Sequence, residues 1–155
     1  MRAPWATVVT AGLAGAVALA AGSATSPRQY VGTWAPAYRA FASVYVKAYR
    51  PCLRGATKSC AQAQELAAAA ALRTFSMLSS PAPRALAHDI AQLKRDLRAA
   101  SRTLSASAAA ARAGQTSQRH WCSAEQGPCT VVMIDLGNVI GDINFVAGVD
   151  LPLPG

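Results

Sequence analysis

Between residues 86 and 108 the chain places Leu86, Ile90, Leu93, Leu97, Ala100, Leu104 and Ala108 at spacings of 4, 3, 4, 3, 4 and 4. That spacing returns an apolar side chain to one side of a 3.6-residue helix at every turn, whereas the period of two in a strand would scatter the same residues over both faces. The pattern recurs with Tyr38, Phe41, Tyr45, Ala48 and Cys52, and again with Val132, Leu136, Val139, Ile143 and Val146. A helix with one apolar stripe must bury it against a neighbour, so several in one chain imply a helix-on-helix domain. Composition agrees. The 155 residues are 52% hydrophobic but only 6% aromatic, so alanine, the strongest helix former, supplies much of the apolar count and little core volume.

Boundaries follow from breakers and caps. Residues 25–35, TSPRQYVGTWA, show no period and are read as a linker, with Pro36 opening a first helix over about 36–51. Arg39, Ser43, Lys47, Arg50 and Arg54 form its polar face, and Pro51 and Gly55 close it. A second helix is expected over 59–78, with Ser59 and Gln62 as a capping box. On it Gln62, Glu65, Arg73 and Ser76 share a narrow arc, and almost everything else is apolar, so most of its girth should be covered. A third helix over 81–113 takes Ser80 as N-cap and Pro81 as first residue. Gly114 supplies its stop. It would be about twice as long as the first, and its last third, SASAAAARAG, is expected to project or fray. A fourth helix over 130–147 carries Asp135, Asn138 and Asp142 on one flank. Its Gly137 and Gly141 cost about 2 kcal/mol relative to alanine, and TVVMI alone would suit a strand. The DLPLPG tail cannot continue a helix. The fold class is therefore all-α, an antiparallel up-down-up-down bundle of four helices over residues 36–150 with a tail at 151–155.

Residues 1–24 have the order of a secretory signal: Met1-Arg2, an uncharged apolar run from Trp5 to Ala20, then small residues that place cleavage after Ala24. An uncleaved anchor is the alternative, but a run of about 16 residues is short of the roughly 20 that span a bilayer. Export makes the even set Cys52, Cys60, Cys122 and Cys129 a pair of disulfides. Of three connectivities, sequence-local pairing is the simplest. Each such loop contributes about 2 to 3 kcal/mol, whereas a Cys52–Cys122 bond would close a longer loop and contribute more than about 4. Arginine outnumbers lysine 12 to 3, which with the alanine points to GC-rich coding and a bacterial source.

The phrase VVMIDLGNVIGDINF resembles the first motif of haloacid dehalogenase-like phosphatases, in which a hydrophobic strand delivers an aspartate nucleophile. On that resemblance Asp135 would accept a phosphoryl group. The chain departs from the family pattern in two respects: only twenty residues follow Asp135, too few for a Rossmann-like sheet and its later motifs, and Gly137 stands where the second acid belongs. The apolar spacing gives the same residues a helical role without catalysis.

His88 precedes Asp89, but successive helical residues point about 100° apart, so no acid-base pair follows. His120-Trp121-Cys122 with Cys129 lacks the close ligand pairs of structural zinc. There is no phosphate loop and no haem attachment motif, so neither a metal nor a cofactor is expected. The aromatic residues Tyr38, Phe41 and Tyr45 are read as core rather than as a lipid or haem cavity, and buried tyrosine hydroxyls would need partners.

Charge is the more informative feature. Residues 28–119 hold 14 basic and 3 acidic residues, and residues 120–155 hold 4 acidic and none basic. The acids of the fourth helix are expected to face basic neighbours. On the third helix Lys94, Arg98 and Arg102 form a ridge beside Arg95, a candidate contact for anionic envelope polymers or lipid headgroups. No aromatic interleaves with that ridge, which argues against nucleic acid as partner. The expectation is an exported, non-enzymatic structural or binding component of the cell exterior without a stable membrane span after processing. A secreted hydrolase with an unrecognised site is the alternative.

Overall fold

The structure, a computed structural model, describes residues 25–53, 55, 57–78, 81–115 and 128–154. Residues 1–24, read above as a signal, together with Arg54, Ser80 and the HWCSAEQG stretch that holds His120, Trp121 and Cys122, lie outside them. Among the described residues all regular structure is helical: α1 (Pro27–Cys52), α2 (Lys58–Met77), a 3₁₀ turn (Arg84–Leu86), α3 (Ala87–Arg112) and α4 (Pro128–Ala147). Helix α2 packs on α1 and on α3, α3 packs on α4, and α4 touches α1 more lightly.

Helix α1 begins nine residues before the expected Pro36, so the stretch read as a linker is helical. Pro27 is the first helical residue, where a missing N–H costs nothing. Ahead of it Ser26 and Gln29 form a reciprocal capping box: the Gln29 N–H donates to Ser26 Oγ (3.2 Å) and the Ser26 N–H to Gln29 Oε1 (3.1 Å). The apolar stripe also begins earlier. Tyr30, Trp34, Tyr38 and Phe41 are all buried at spacings of 4, 4 and 3, and this periodicity is hidden because Pro36 lies within it. Pro36 is solvent-exposed inside the helix, and its ring is directed at the carbonyl of Gly32, the residue one turn back. Of the expected stripe, Tyr38, Phe41, Ala48 and Cys52 are buried and Tyr45 is partly so.

Helix α2 is capped by Thr57, whose hydroxyl accepts from the Cys60 N–H at 3.1 Å, two residues before the expected Ser59. Its buried side is narrower than the sequence implied. Ala61, Ala67, Ala68 and Ala71 line it together with Gln64 and Thr74, while Leu66, Leu72 and Met77 are exposed. Small side chains let helix axes approach, which places α2 between α1 and α3.

Every residue of the α3 stripe from Leu86 to Ala108 is buried, as the spacing predicts. The start differs. Pro83 disfavours the α conformation for Ala82 and is itself extended (φ −53°, ψ 146°), so a 3₁₀ turn intervenes and the α-helix opens at Ala87 instead of Pro81. As a result α1 and α3 are each 26 residues long, and the expected twofold difference in length is absent. The last third of α3 does not project. Ala108 and Ala111 pack with Cys52, Cys60 and Ala61 in a small cluster at the α1–α2 turn. Gly114 (φ +68°) ends the helix, and the Gln115 N–H returns to the Ala110 carbonyl.

Cys52 and Cys60 are joined in a disulfide, the local pairing expected for the first connection. Cys129 is buried, and the pairing expected for it involves Cys122, outside the described residues.

Helix α4 adopts the helical alternative for the IDLGNV stretch, but its stripe is rotated. Cys129, Met133, Leu136, Ile140, Ile143 and Ala147 are buried, Val139 remains buried at the edge, Val132 is partly buried against the core, and Val146 is exposed. Gly148 (φ +61°) closes the helix with the Val149 N–H bonded to the Asn144 carbonyl. The tail then folds back. Asn144 brackets the Leu151 backbone with two 2.9 Å hydrogen bonds, and Tyr38 Oη donates to the Pro152 carbonyl at 3.1 Å.

Candidate functional site

Helix α3 has two chemically opposite flanks, and they are the features of this molecule most suited to recognition. The 3.6-residue pitch puts Lys94 and Arg98 on the flank beside α2, with Arg102 continuing the row outward. Arg95 and Arg102 are exposed, Lys94 is half-buried, and the Arg98 guanidinium lies 4.2 Å from the centroid of the Phe75 ring of α2. That cation–π contact orients Arg98 without neutralising it. Arg95 is drawn to the other side, where it donates to Gln92 Oε1. Among the described residues the one ion pair joins Arg112 to Glu65, so Lys94, Arg98 and Arg102 have no carboxylate partner there.

The opposite flank meets α4. His88, Asp89 and Gln92 from α3 and Asp135, Asn138, Val139 and Asp142 from α4 line an open groove of about 210 Å³. Asp135 and Asp142 thus meet a histidine and further carboxylates instead of the basic neighbours expected for them. The sequence does contain a reason: α3 carries its own two acids, Asp89 and Asp96, on the side turned to α4, and its basic row lies across the helix. Asp96 is the residue that sequence reasoning missed. It is 6% exposed, Gln92 Nε2 donates to its Oδ1 at 2.7 Å, and its Oδ2 is buried without a hydrogen-bond partner. Burial raises its carboxyl above the usual carboxylate range; Asp135 adds to this, while the Gln92 hydrogen bond and Arg95 oppose it. The available signal was its position at the edge of the stripe, three residues after Leu93 and four before Ala100.

As a catalytic constellation the groove is incomplete. Its lining offers an imidazole and carboxylates but no hydroxyl or thiol nucleophile. Asp135 sits on a helix and not at the end of a strand, so the phosphatase-like motif lacks the backbone that delivers its nucleophile. Among the described residues no group of three or more His, Cys, Asp or Glu side chains could hold a metal ion. The aromatic residues of α1 are occupied with one another: Trp34 packs edge-on against Tyr38 at 6.3 Å, and Tyr38 lies 6.0 Å from Phe41. Burial pushes the Tyr38 phenol well above its ordinary value, so it serves as a neutral donor to the tail.

The outer face of α4 is apolar at Val131, Ile134, Phe145 and Val146, and Phe145 is 89% exposed. Cys129–Ala147 is by length and composition apolar enough to cross a membrane, with a mean hydropathy of 1.4, yet its other face belongs to the core. The chain matches no protein-family model, no curated protein and no solved structure.

Proposed function

We propose that this is an exported, non-enzymatic helical-bundle protein that contacts anionic polymers or lipid headgroups of a cell envelope through Lys94, Arg98 and Arg102, with Arg95 as a flanking contributor. The carrying observation is the placement of this basic row on the flank of α3 away from the acidic groove, with no carboxylate partner among the described residues. A row that was only a solvated face would gain nothing from a fixed guanidinium; Arg98 held on Phe75 gives up side-chain freedom before any ligand arrives, which lowers the ordering cost of binding.

In this reading the first 24 residues are a signal peptide removed after Ala24, the helices run up-down-up-down, and the Cys52–Cys60 and Cys122–Cys129 bonds brace the first and third connections at one end. The packing of successive helices on one another and the Cys52–Cys60 bond support it. The buried face of α4 supports a place for that helix in the bundle core after processing.

The test is co-sedimentation with phosphatidylglycerol vesicles at low salt. A basic residue near an anionic surface contributes about 1 kcal/mol, so changing Lys94, Arg98 and Arg102 together to Gln should weaken binding on the order of a hundredfold. Helix content should be unchanged by circular dichroism. Equal sedimentation of both proteins contradicts the proposal.

A further inference from the structure

We propose that the outer face of α4 is a docking surface for a cationic amphipathic helix of another protein, whose apolar stripe covers Ile134 and Phe145 and whose lysine or arginine side chains enter the acidic groove beside them. At 100° per residue Val131, Ile134, Asn138, Gly141 and Phe145 fall within about 80° of arc, and all are exposed. Helix α4 rests on α3 and only lightly on α1, and of its most apolar stretch, within Cys129–Ala147, 33% is buried. The bundle therefore leaves one apolar side of this helix unused, and a contiguous apolar row marks a contact surface where scattered apolar residues would not.

The two edges of the row differ, and they select the occupant. On one edge the tail folds in: Pro154 Cδ lies 3.9 Å from where a Cβ on Gly137 would stand, whereas Gly141, inside the row, has open space at the same position. That space is a notch for an incoming side chain. On the other edge Asp135 and Asp142, with Asp89 of α3, line the open groove, whose lining holds no lysine or arginine. Helix α4 has none either, and the one ion pair among the described residues lies elsewhere, between Arg112 and Glu65.

An apolar stripe bordered on one side by carboxylates without cations is matched by a helix whose own apolar stripe is bordered by cations. Phe145, the most exposed of the large apolar side chains, is the anchor, and the groove carboxylates set the direction in which the partner lies. A second α4 laid on this face would bring more carboxylates and no cation. A layer of anionic headgroups would meet the same repulsion. The positive charge of the whole chain does not reverse the preference at physiological salt, where screening over about 8 Å leaves the nearest carboxylates to dominate. This contact goes beyond the anionic one assigned to the basic row and uses a different helix.

Fluorescence anisotropy of a labelled peptide, titrated with the full chain at physiological salt, tests this. The peptide is about 18 residues long, enough to hold a helix, with leucine on one face and lysine on the other; its counterpart keeps the leucines and carries glutamate for lysine. The lysine peptide should bind about tenfold more tightly than the glutamate peptide. Phe145→Ser should weaken its binding about tenfold, Asp135→Asn combined with Asp142→Asn should weaken it several-fold, and Leu66→Ser on α2 should leave it unchanged. All four positions are exposed, and the comparison of the two peptides uses the unaltered chain, so it stands whether or not a variant folds. Equal binding of the two peptides, no binding of the lysine peptide, or binding that survives Phe145→Ser overturns the proposal. So does self-association in sedimentation velocity that Phe145→Ser abolishes, which makes the occupant a second copy, or binding to phosphatidylglycerol vesicles that the same change abolishes, which makes it a lipid layer.

Discussion

Leu97 and Leu66 are the same side chain on neighbouring helices, and the fold gives them opposite energetic weight. Leu97 is fully buried and Leu66 is 66% exposed. Truncating a buried leucine loses its transfer energy and leaves a cavity, at a cost of about 2 to 5 kcal/mol, whereas a solvated position changes stability by less than about 0.5 kcal/mol. Leu97→Ala should therefore shift the denaturant midpoint well below that of the native chain, and Leu66→Ala should leave it nearly in place. The contrast also marks what spacing could and could not supply. Leu97 sits in an unbroken run of threes and fours, and its burial was legible. Leu66 lies in a helix where alanine occupies so many positions that apolar count no longer defines a face. Asp96 was less legible still, since a carboxylate at the edge of an apolar stripe reads as solvated and its burial depends on how the helices pack.

At the scale of elements, termini decide most of the differences between expectation and structure. The expected start of α1 at Pro36 rested on the usual place of proline in a first turn, yet Pro27 fills that place and Ser26-x-x-Gln29 caps it. Pro36 remains inside the helix because Trp34, Tyr38 and Phe41 around it are buried, and packing outweighs a local penalty of about 3 kcal/mol. Pro36→Ala restores a backbone donor at an exposed position. It should raise the unfolding midpoint, and a lowered midpoint would mean that the proline is needed where it stands. The stripe of α4 was legible only in part: Leu136, Val139 and Ile143 are buried as expected, but valines crowd both sides of that helix, and spacing alone did not single out Met133, Ile140 and Ala147 as further inward residues. Helix identity and stops at Gly114 and Gly148, by contrast, were set by local chemistry.

On the scale of the whole molecule, the division of charge into a basic early part and an acidic end does not produce a cross-bundle docking of opposites. The acids gather on one flank of α3 and the basic row stands on the other, so the surface offers a basic face with no carboxylate partner among the described residues. That face could be named from sequence because a ridge at spacings of four is a local property. Its freedom from internal pairing could not, because it depends on which side of α3 receives α4. The central claim is that this face meets an anionic surface, and the most direct test is equilibrium binding of the protein to vesicles of phosphatidylglycerol and of phosphatidylcholine over a range of salt. Binding to the anionic vesicles alone, falling steeply as salt rises, is the predicted result. Absence of binding, or equal and salt-insensitive binding to both lipids, would contradict it.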